Sequence, residues 1–255
     1  MINYRNTHII PFEFEYYEPQ SISEALEILD KYRGSARILA GGTDLLVKMK
    51  TRQLEPKVVV NLKKINGLRY IRDEGDYIKI GALTTLRDIE RSDIIKQYIP
   101  ALHDAVKMMA SIQIRNMATI GGNLCNASPA ADTAPPLLVY DAYVKAISLN
   151  GERIIPLSKL FKGPGETILE PNEILVEINV KKHKGSSAFM KISRTAMDIA
   201  IANVAVYLEL DNDVVTDIRI AAGSVAPTPV RCFKAEGYLK GLKINAITPE
   251  SFKYM

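Results

Sequence analysis

The stretch Gln113-Ile114-Arg115-Asn116-Met117-Ala118-Thr119-Ile120-Gly121-Gly122-Asn123-Leu124-Cys125-Asn126-Ala127-Ser128-Pro129-Ala130-Ala131-Asp132 decides how this chain is read. An apolar run leads into the glycine pair Gly121-Gly122, and Thr119 and Asn123 flank it with hydrogen-bond donors. Earlier in the chain, Ile38-Leu39-Ala40-Gly41-Gly42-Thr43-Asp44-Leu45-Leu46 repeats the pattern. Two successive glycines, lacking Cβ atoms, let bare backbone N–H groups approach a bulky anion, and such segments suit a pyrophosphate. A Cβ at Gly41, Gly42, Gly121 or Gly122 is expected to push the phosphate away. A helix starting there would add a favourable dipole of about 0.3–1 kcal/mol. Asp132 carries the wrong charge for a phosphate, so a ribose hydroxyl or a backbone cap is its expected partner.

Neither pair is a G-x-G-x-x-G dinucleotide fingerprint, and no Gly-Lys-Ser/Thr follows to make a Walker loop. The chain has no H-E-x-x-H, no paired histidine ligands and no nucleophile elbow, and His8, His103 and His183 are far apart in sequence. Hydrolase and metalloenzyme readings therefore lack support.

At 255 residues, 47% of them hydrophobic, the chain can bury a substantial core as one large domain or two small ones. Its 33 basic and 29 acidic residues leave a net charge of +4, with the basic residues scattered, which argues against a nucleic-acid partner. Cys125 and Cys232 are too few to staple a chain of this length or to hold an iron–sulfur site alone. No run approaches the roughly 18 apolar residues of a membrane span, and Met1-Ile2-Asn3-Tyr4-Arg5 is unlike a secretion signal. The expected setting is cytoplasmic.

Periodicity predicts a helix over 21–32, a strand over 37–40, a helix from Leu45 capped by Thr43 or Asp44, and a strand over 57–62, together a β-α-β-like unit. Asp73-Glu74-Gly75-Asp76 and Asn150-Gly151 mark hairpins. Thr84 or Thr85 can cap a short helix, residues 100–109 suggest another, and Pro129, Pro135 and Pro136 are expected to stiffen the exit of the second glycine segment. An alternating strand spans 173–180. After the polar run 181–186 come strand-like stretches at 188–193, 201–210 and 214–222 and a helix over 231–239, which read as a small antiparallel sheet with a covering helix.

With both glycine segments in view, the chain resembles the FAD-binding medium subunit of molybdenum hydroxylases, the group of xanthine dehydrogenases, aerobic carbon monoxide dehydrogenases and 4-hydroxybenzoyl-CoA reductases. The resemblance rests on residues 40–46, on 113–132, and on Glu173-Ile174-Leu175 followed by Phe189-Met190-Lys191, and it extends over nearly the whole chain. It implies an α+β fold: a two-subdomain FAD-binding domain of the PCMH, vanillyl-alcohol-oxidase-like kind over residues 1–181, divided near residue 62, and a C-terminal domain of three antiparallel strands with helices over 182–255. Members of the group usually run on past the last helix, so either a trimmed C-terminal domain or an incomplete sequence is expected.

By the same resemblance, FAD is held by Ala40, Gly41, Gly42, Thr43, Asp44, Thr119, Gly121, Gly122, Asn123 and Asp132, with Leu175 and Lys191 near its flavin or adenine ends and Met109 beside the isoalloxazine. The implied partners are a 2Fe–2S small subunit and a molybdopterin-binding large subunit, assembled as a dimer of heterotrimers. Electrons are expected to pass from the 2Fe–2S clusters through FAD to NAD, a quinone or dioxygen. A free-standing FAD oxidase or reductase and a flavin-free nucleotide-binding module are the competing readings. The residues alone leave other roles open: Asp44 and Asp132 also fit simple caps, Lys191 a solvated strand position, Arg115 a structural anchor, Cys125 a small buried apolar residue, and Tyr16-Tyr17 and Met108-Met109 the core.

Overall fold

Three consecutive valines pull the first third of the chain together. Val58, Val59 and Val60 lie in β3 (Val58–Asn61), buried on both faces, with β1 (Glu15–Tyr17) and β2 (Ala36–Leu39) pairing parallel to it on either side. This computed structural model describes residues 10–252; both ends of the expected domains, 1–9 and 253–255, lie outside the described residues. Helix α1 (Ile22–Tyr32) starts where Ser21 Oγ accepts the Glu24 N–H at 3.2 Å, and it buries Ala25, Leu26 and Leu29 against the sheet. Helix α2 (Leu45–Lys50) follows the first glycine pair and completes the expected β-α-β unit. Strand β1 was not expected, and of the Tyr16-Tyr17 pair only Tyr17 packs against the core. Tyr16 is 50% exposed and donates to Glu18 while accepting from Asn61.

An antiparallel sheet comes next, in the order β4-β5-β10-β6-β7, built from β4 (Ile71–Glu74), β5 (Tyr77–Gly81), β6 (Tyr143–Ser148), β7 (Gly151–Pro156) and β10 (Ile174–Lys181). The first hairpin turns where the sequence places it, at Gly75-Asp76, and the second one residue early, at Leu149-Asn150, with Gly151 already paired to Ser148. A two-stranded ribbon, β8 (Phe161–Gly163) with β9 (Glu166–Thr167), precedes β10. Six short helices pack around this sheet: α3 (Leu86–Arg91), α4 (Asp93–Tyr98), α5 (Pro100–Lys107), α6 (Ile112–Met117), α7 (Ile120–Asn126) and α8 (Ala134–Val139). Thr85 and Asp88 close a capping box on α3. Pro135 and Pro136 do not stiffen a loop. They sit in the first turn of the fully buried α8, where their missing N–H groups leave no bond unmade.

The C-terminal sheet runs β11-β12-β13-β14, from β11 (Ser186–Ile192), β12 (Ala202–Asp211), β13 (Val214–Gly223) and β14 (Val230–Arg231), with α9 (Phe233–Leu239) over β13. The two-residue β14 is a fourth strand, one more than the expected three. Phe189, Ala205, Tyr207 and Ala221 on the inner face join α5 and α8 in the main core, so one apolar interior runs across both regions. The Ala101 N–H donates to Ser187 Oγ at 3.0 Å, fixing the start of α5 on β11.

Arg115 is an anchor. Only 7% exposed, it donates to both oxygens of Glu90, and its Nη1 bonds the carbonyls of Met109 (2.6 Å) and Ala110 (2.8 Å). This ties the turn before α6 in place, yet leaves Met108 42% exposed, contrary to its expected burial. Burial alone would raise the Glu90 carboxyl, but bonds and charges from Arg115 and Arg87 outweigh it and hold the group below the ordinary glutamate value.

Two outcomes follow from these contacts. Because the Glu90 pKa is lower folded than unfolded, its contribution to stability is present above about pH 4.5 and is lost as pH falls through the folded value. Urea denaturation of Glu90→Gln should therefore run below wild type at neutral pH and converge with it in acid. Gly121→Ala places a Cβ 2.7 Å from both the Cβ and the carbonyl oxygen of Ala82, an overpacking that should cost about 1–3 kcal/mol in the same assay.

Candidate cofactor site

The two glycine segments, far apart in sequence, meet along one seam. A Cβ on Gly41 would run into the Met117 carbonyl oxygen and come within 2.9 Å of the Ala118 Cα, so the bare Gly41 backbone lies directly on the approach to α7. An ideal Cβ on Gly122 would stand 3.8 Å from the Ala40 Cβ. Side chains stitch the seam: Lys48 Nζ donates to Asn126 Oδ1 at 2.7 Å, and Asn126 Nδ2 donates to Asp44 Oδ1 at 3.2 Å. Asp44 stands at the start of α2 without capping it, and its carboxylate turns to α7 instead.

The segments do not contribute alike. Each amide at the start of α7 is bonded within the protein: Ile120 to the Thr84 carbonyl (3.0 Å), Gly121 to the Ala82 carbonyl (2.9 Å), Gly122 to Thr119 Oγ1 (3.1 Å) and Asn123 to the Thr119 carbonyl (2.9 Å). The amides of Gly41, Gly42, Thr43 and Asp44 have no acceptor among the described residues. Anion-binding capacity therefore rests on the first segment. Gly42 holds φ at +82°, in the left-handed region that a side chain disfavours. On the second segment the available donors are side chains, the Thr119 hydroxyl and the Asn123 amide, whose Oδ1 already accepts from Thr133 Oγ1 at 2.6 Å.

The glycines consequently work differently from expectation. Gly41 and Gly121 spare protein backbone, at Met117 and Ala82, rather than a phosphate. Gly122 keeps the wall facing Ala40 low. A row of four unpaired amides, a seam kept free of Cβ atoms and a neighbouring lysine fit the diphosphate of an extended dinucleotide.

Asp132 and Lys191 meet each other. Lys191 Nζ lies 2.7 Å from Asp132 Oδ2, and Asn203 Nδ2 donates to Asp132 Oδ1 at 2.7 Å, with both charged side chains almost wholly buried. Neither is the solvated residue or simple cap left open above. Burial raises the Asp132 carboxyl above its ordinary value, and Lys191 and Asn203 offset only part of that. The Asn203 Oδ1 has no hydrogen-bond partner among the described residues and rests against Gly223, where a Cβ would overlap it.

Leu175 is buried in the main core on β10. Its neighbour Val176 accepts the Ala82 N–H at 2.9 Å, so β10 backs the second segment through Ala82. Met109 follows α5, half-buried against the same core. Cys125 is exposed on α7 rather than buried. Lys48, Asn126, Thr133 and Asn203 belong to the site and were not singled out from sequence. Asn203 had a legible signal, being polar at an inward position of an otherwise apolar alternating strand.

Comparison with known proteins shows the family. Residues 12–181 match the family described as the FAD binding domain in molybdopterin dehydrogenase, and residues 187–252 the CO dehydrogenase flavoprotein C-terminal domain. The chain is 36% identical to the xanthine dehydrogenase FAD-binding subunit of Escherichia coli O157:H7, over 94% of this chain and 84% of that one. It is 36% identical to the carbon monoxide dehydrogenase medium chain of Hydrogenophaga pseudoflava, over 95% and 84%. The solved carbon monoxide dehydrogenase of H. pseudoflava superposes with a TM-score of 0.91 at 36% identity, covering 95% of this chain and 84% of that chain. Quinoline 2-oxidoreductase from Pseudomonas putida 86 gives 0.88 at 26% identity, covering 91% and 81%. The chain thus belongs to the FAD-binding subunits of the molybdopterin dehydrogenases, which are oxidoreductase flavoproteins.

Proposed function

We propose that this chain stands between a 2Fe–2S small subunit and an external electron acceptor, in a complex whose large subunit carries molybdopterin and performs the substrate chemistry. The single observation that carries the reading is the seam itself: unpaired amides at Gly41, Gly42, Thr43 and Asp44 set against an α7 start whose own amides are bonded. FAD, when bound, supplies the redox step. The residues here bind and orient it. The first segment takes the diphosphate, Thr119 and Asn123 offer side-chain donors, and Ala40 and Gly122 keep the wall low enough for an extended cofactor.

Among the described residues no three His, Cys, Asp or Glu side chains gather to hold a metal ion, and no helix is long and apolar enough to cross a membrane. The proposed assembly therefore places the clusters and the molybdenum cofactor on other chains. Carbon monoxide, xanthine and quinoline appear in the names of similar enzymes, and the proposal assigns choice of substrate to the large subunit. NAD, a quinone or dioxygen is the proposed acceptor, and a dimer of heterotrimers the proposed assembly.

The purified chain incubated with FAD should show oxidised-flavin absorption and release FAD, not FMN, on denaturation. Equal retention of FMN would overturn the diphosphate assignment. Gly122→Val sets methyls against Ala40 and displaces Thr119 Oγ1, which would stand 2.8 Å from the new Cβ. It should abolish FAD retention while lowering stability by only about 1 kcal/mol, the scale of a lost helix cap. Expression with its neighbouring reading frames should co-purify a 2Fe–2S chain and a molybdopterin-binding chain; recovery of a flavin-loaded chain alone would count against the assembly.

A further inference from the structure

A small cleft opens where the outer face of the five-stranded sheet meets the C-terminal sheet, at the far end of β11 from the glycine seam. Ile78, Val144 and Val180 point into the core, so the alternate residues Tyr77, Tyr143 and Lys181 stand on the opposite face of that sheet, with Lys181 directly across from Tyr77. His183, in the connection from β10 to β11, and Arg219 of β13 close the other side. The cleft holds about 180 Å³. Lys191 stands near the opposite end of β11, about 16 Å from Ser186 at the usual rise per strand residue, which keeps the cleft apart from the proposed cofactor.

Its walls are aromatic. Tyr77 and Tyr143 meet edge to face with ring centroids 6.0 Å apart, and the buried Tyr140 ring lies 5.8 Å from that of His183. Between these rings stand polar groups with hydrogen bonds still to make. Lys181 Nζ and the Tyr77 and Tyr143 hydroxyls have no hydrogen-bond partner among the described residues. Arg219 Nη1 lies 3.3 Å from His183 Nε2, and because a guanidinium only donates, that nitrogen accepts and the neutral ring carries its proton on Nδ1. Burial, with the charges of Arg219 and Lys181, holds His183 below its ordinary pKa and so keeps the ring neutral. Asp141, the carboxylate of the lining, is already engaged: its Oδ1 lies 2.6 Å from Arg231 Nη1 and its Oδ2 3.0 Å from Arg219 Nη1. A cation would therefore meet Lys181 and Arg219 with the neighbouring carboxylate taken, whereas an anionic oxygen can accept from Lys181 and a tyrosine hydroxyl at once. A cavity of about 150 Å³ takes a benzene ring, so the volume here suits one ring with one carboxylate. We propose that this cleft binds a small arylcarboxylate, with its carboxylate on Lys181 and its ring against Tyr77 and Tyr143. The inference is independent of the flavin reading of the seam.

The test titrates the full-length chain with benzoate by calorimetry, which should give one equivalent bound with a Kd of about 1 mM or tighter, a scale open to so small a ligand. Benzamide, the neutral isostere, and acetate, which lacks the ring, should each bind at least about tenfold more weakly. Lys181 is exposed and unpaired among the described residues, so Lys181→Met should keep the fold and lose about tenfold in benzoate affinity, and Lys181→Arg should restore most of it. Lys145→Met removes a lysine of the same sheet face that already pairs with Glu152, and it should bind benzoate as wild type does. The chain has three histidines, so the His183 C2–H resonance is assignable through His183→Gln and should move as benzoate is added. Benzamide or acetate binding as tightly as benzoate, Lys181→Met binding like wild type, or a His183 resonance unmoved at saturation would overturn the proposal. So would the lack of benzoate binding up to about 10 mM. None of these readouts uses FAD, so a failure of the flavin reading and a failure of this one are told apart.

Discussion

The absence of one carbon atom at Gly41 sets the geometry of the site. The Gly41 backbone lies against the Met117 carbonyl and the Ala118 Cα, and any side chain would force the parallel β1-β3-β2 unit away from the α6–α7 layer. Protein interiors do not yield by such amounts without loss of packing. The contact therefore fixes the width of the seam, and the bonds among Asp44, Asn126 and Lys48 hold it laterally.

Around that contact the two glycine segments have taken different work. The start of α7 spends its amides on Thr84, Ala82 and Thr119, which locks the helix to the sheet behind it through Ala82 and Val176. A rigid wall results, with few donors of its own. The first segment does the reverse, keeping four amides without an acceptor among the described residues at the end of a short parallel strand. An unpaired amide gains a charge-assisted bond when a phosphate arrives. Rigidity on one side and available donors on the other suit a subunit whose task is to hold a cofactor in a set orientation for electron exchange.

The C-terminal region is part of the same arrangement. Its inner face shares the main core with α5 and α8, and Tyr140 with Ser187 and Arg231 with Asp141 add polar ties across the junction. The buried Asp132–Lys191 pair is costly to desolvate, and an apolar replacement of the same shape would often be at least as stable.

Local chemistry made much of this legible from sequence. Ser21 before an amphipathic run, Thr85 ahead of Asp88, the Asn150-Gly151 pair and the alternation through 202–222 each encode their element within a few residues. The order of motifs was likewise sufficient for the family, and it brought Asp132 and Lys191 to attention. What the chain alone determined was which segments carry backbone able to come close. The tertiary structure decided what each came close to: Met117 for Gly41, Ala82 for Gly121, Lys191 for Asp132, and solvent for Tyr16 and Cys125. Those partners lie tens of residues away, and a missing Cβ or a lone carboxylate has no way to signal its distant neighbour, because that choice is made by how the sheets and helices pack.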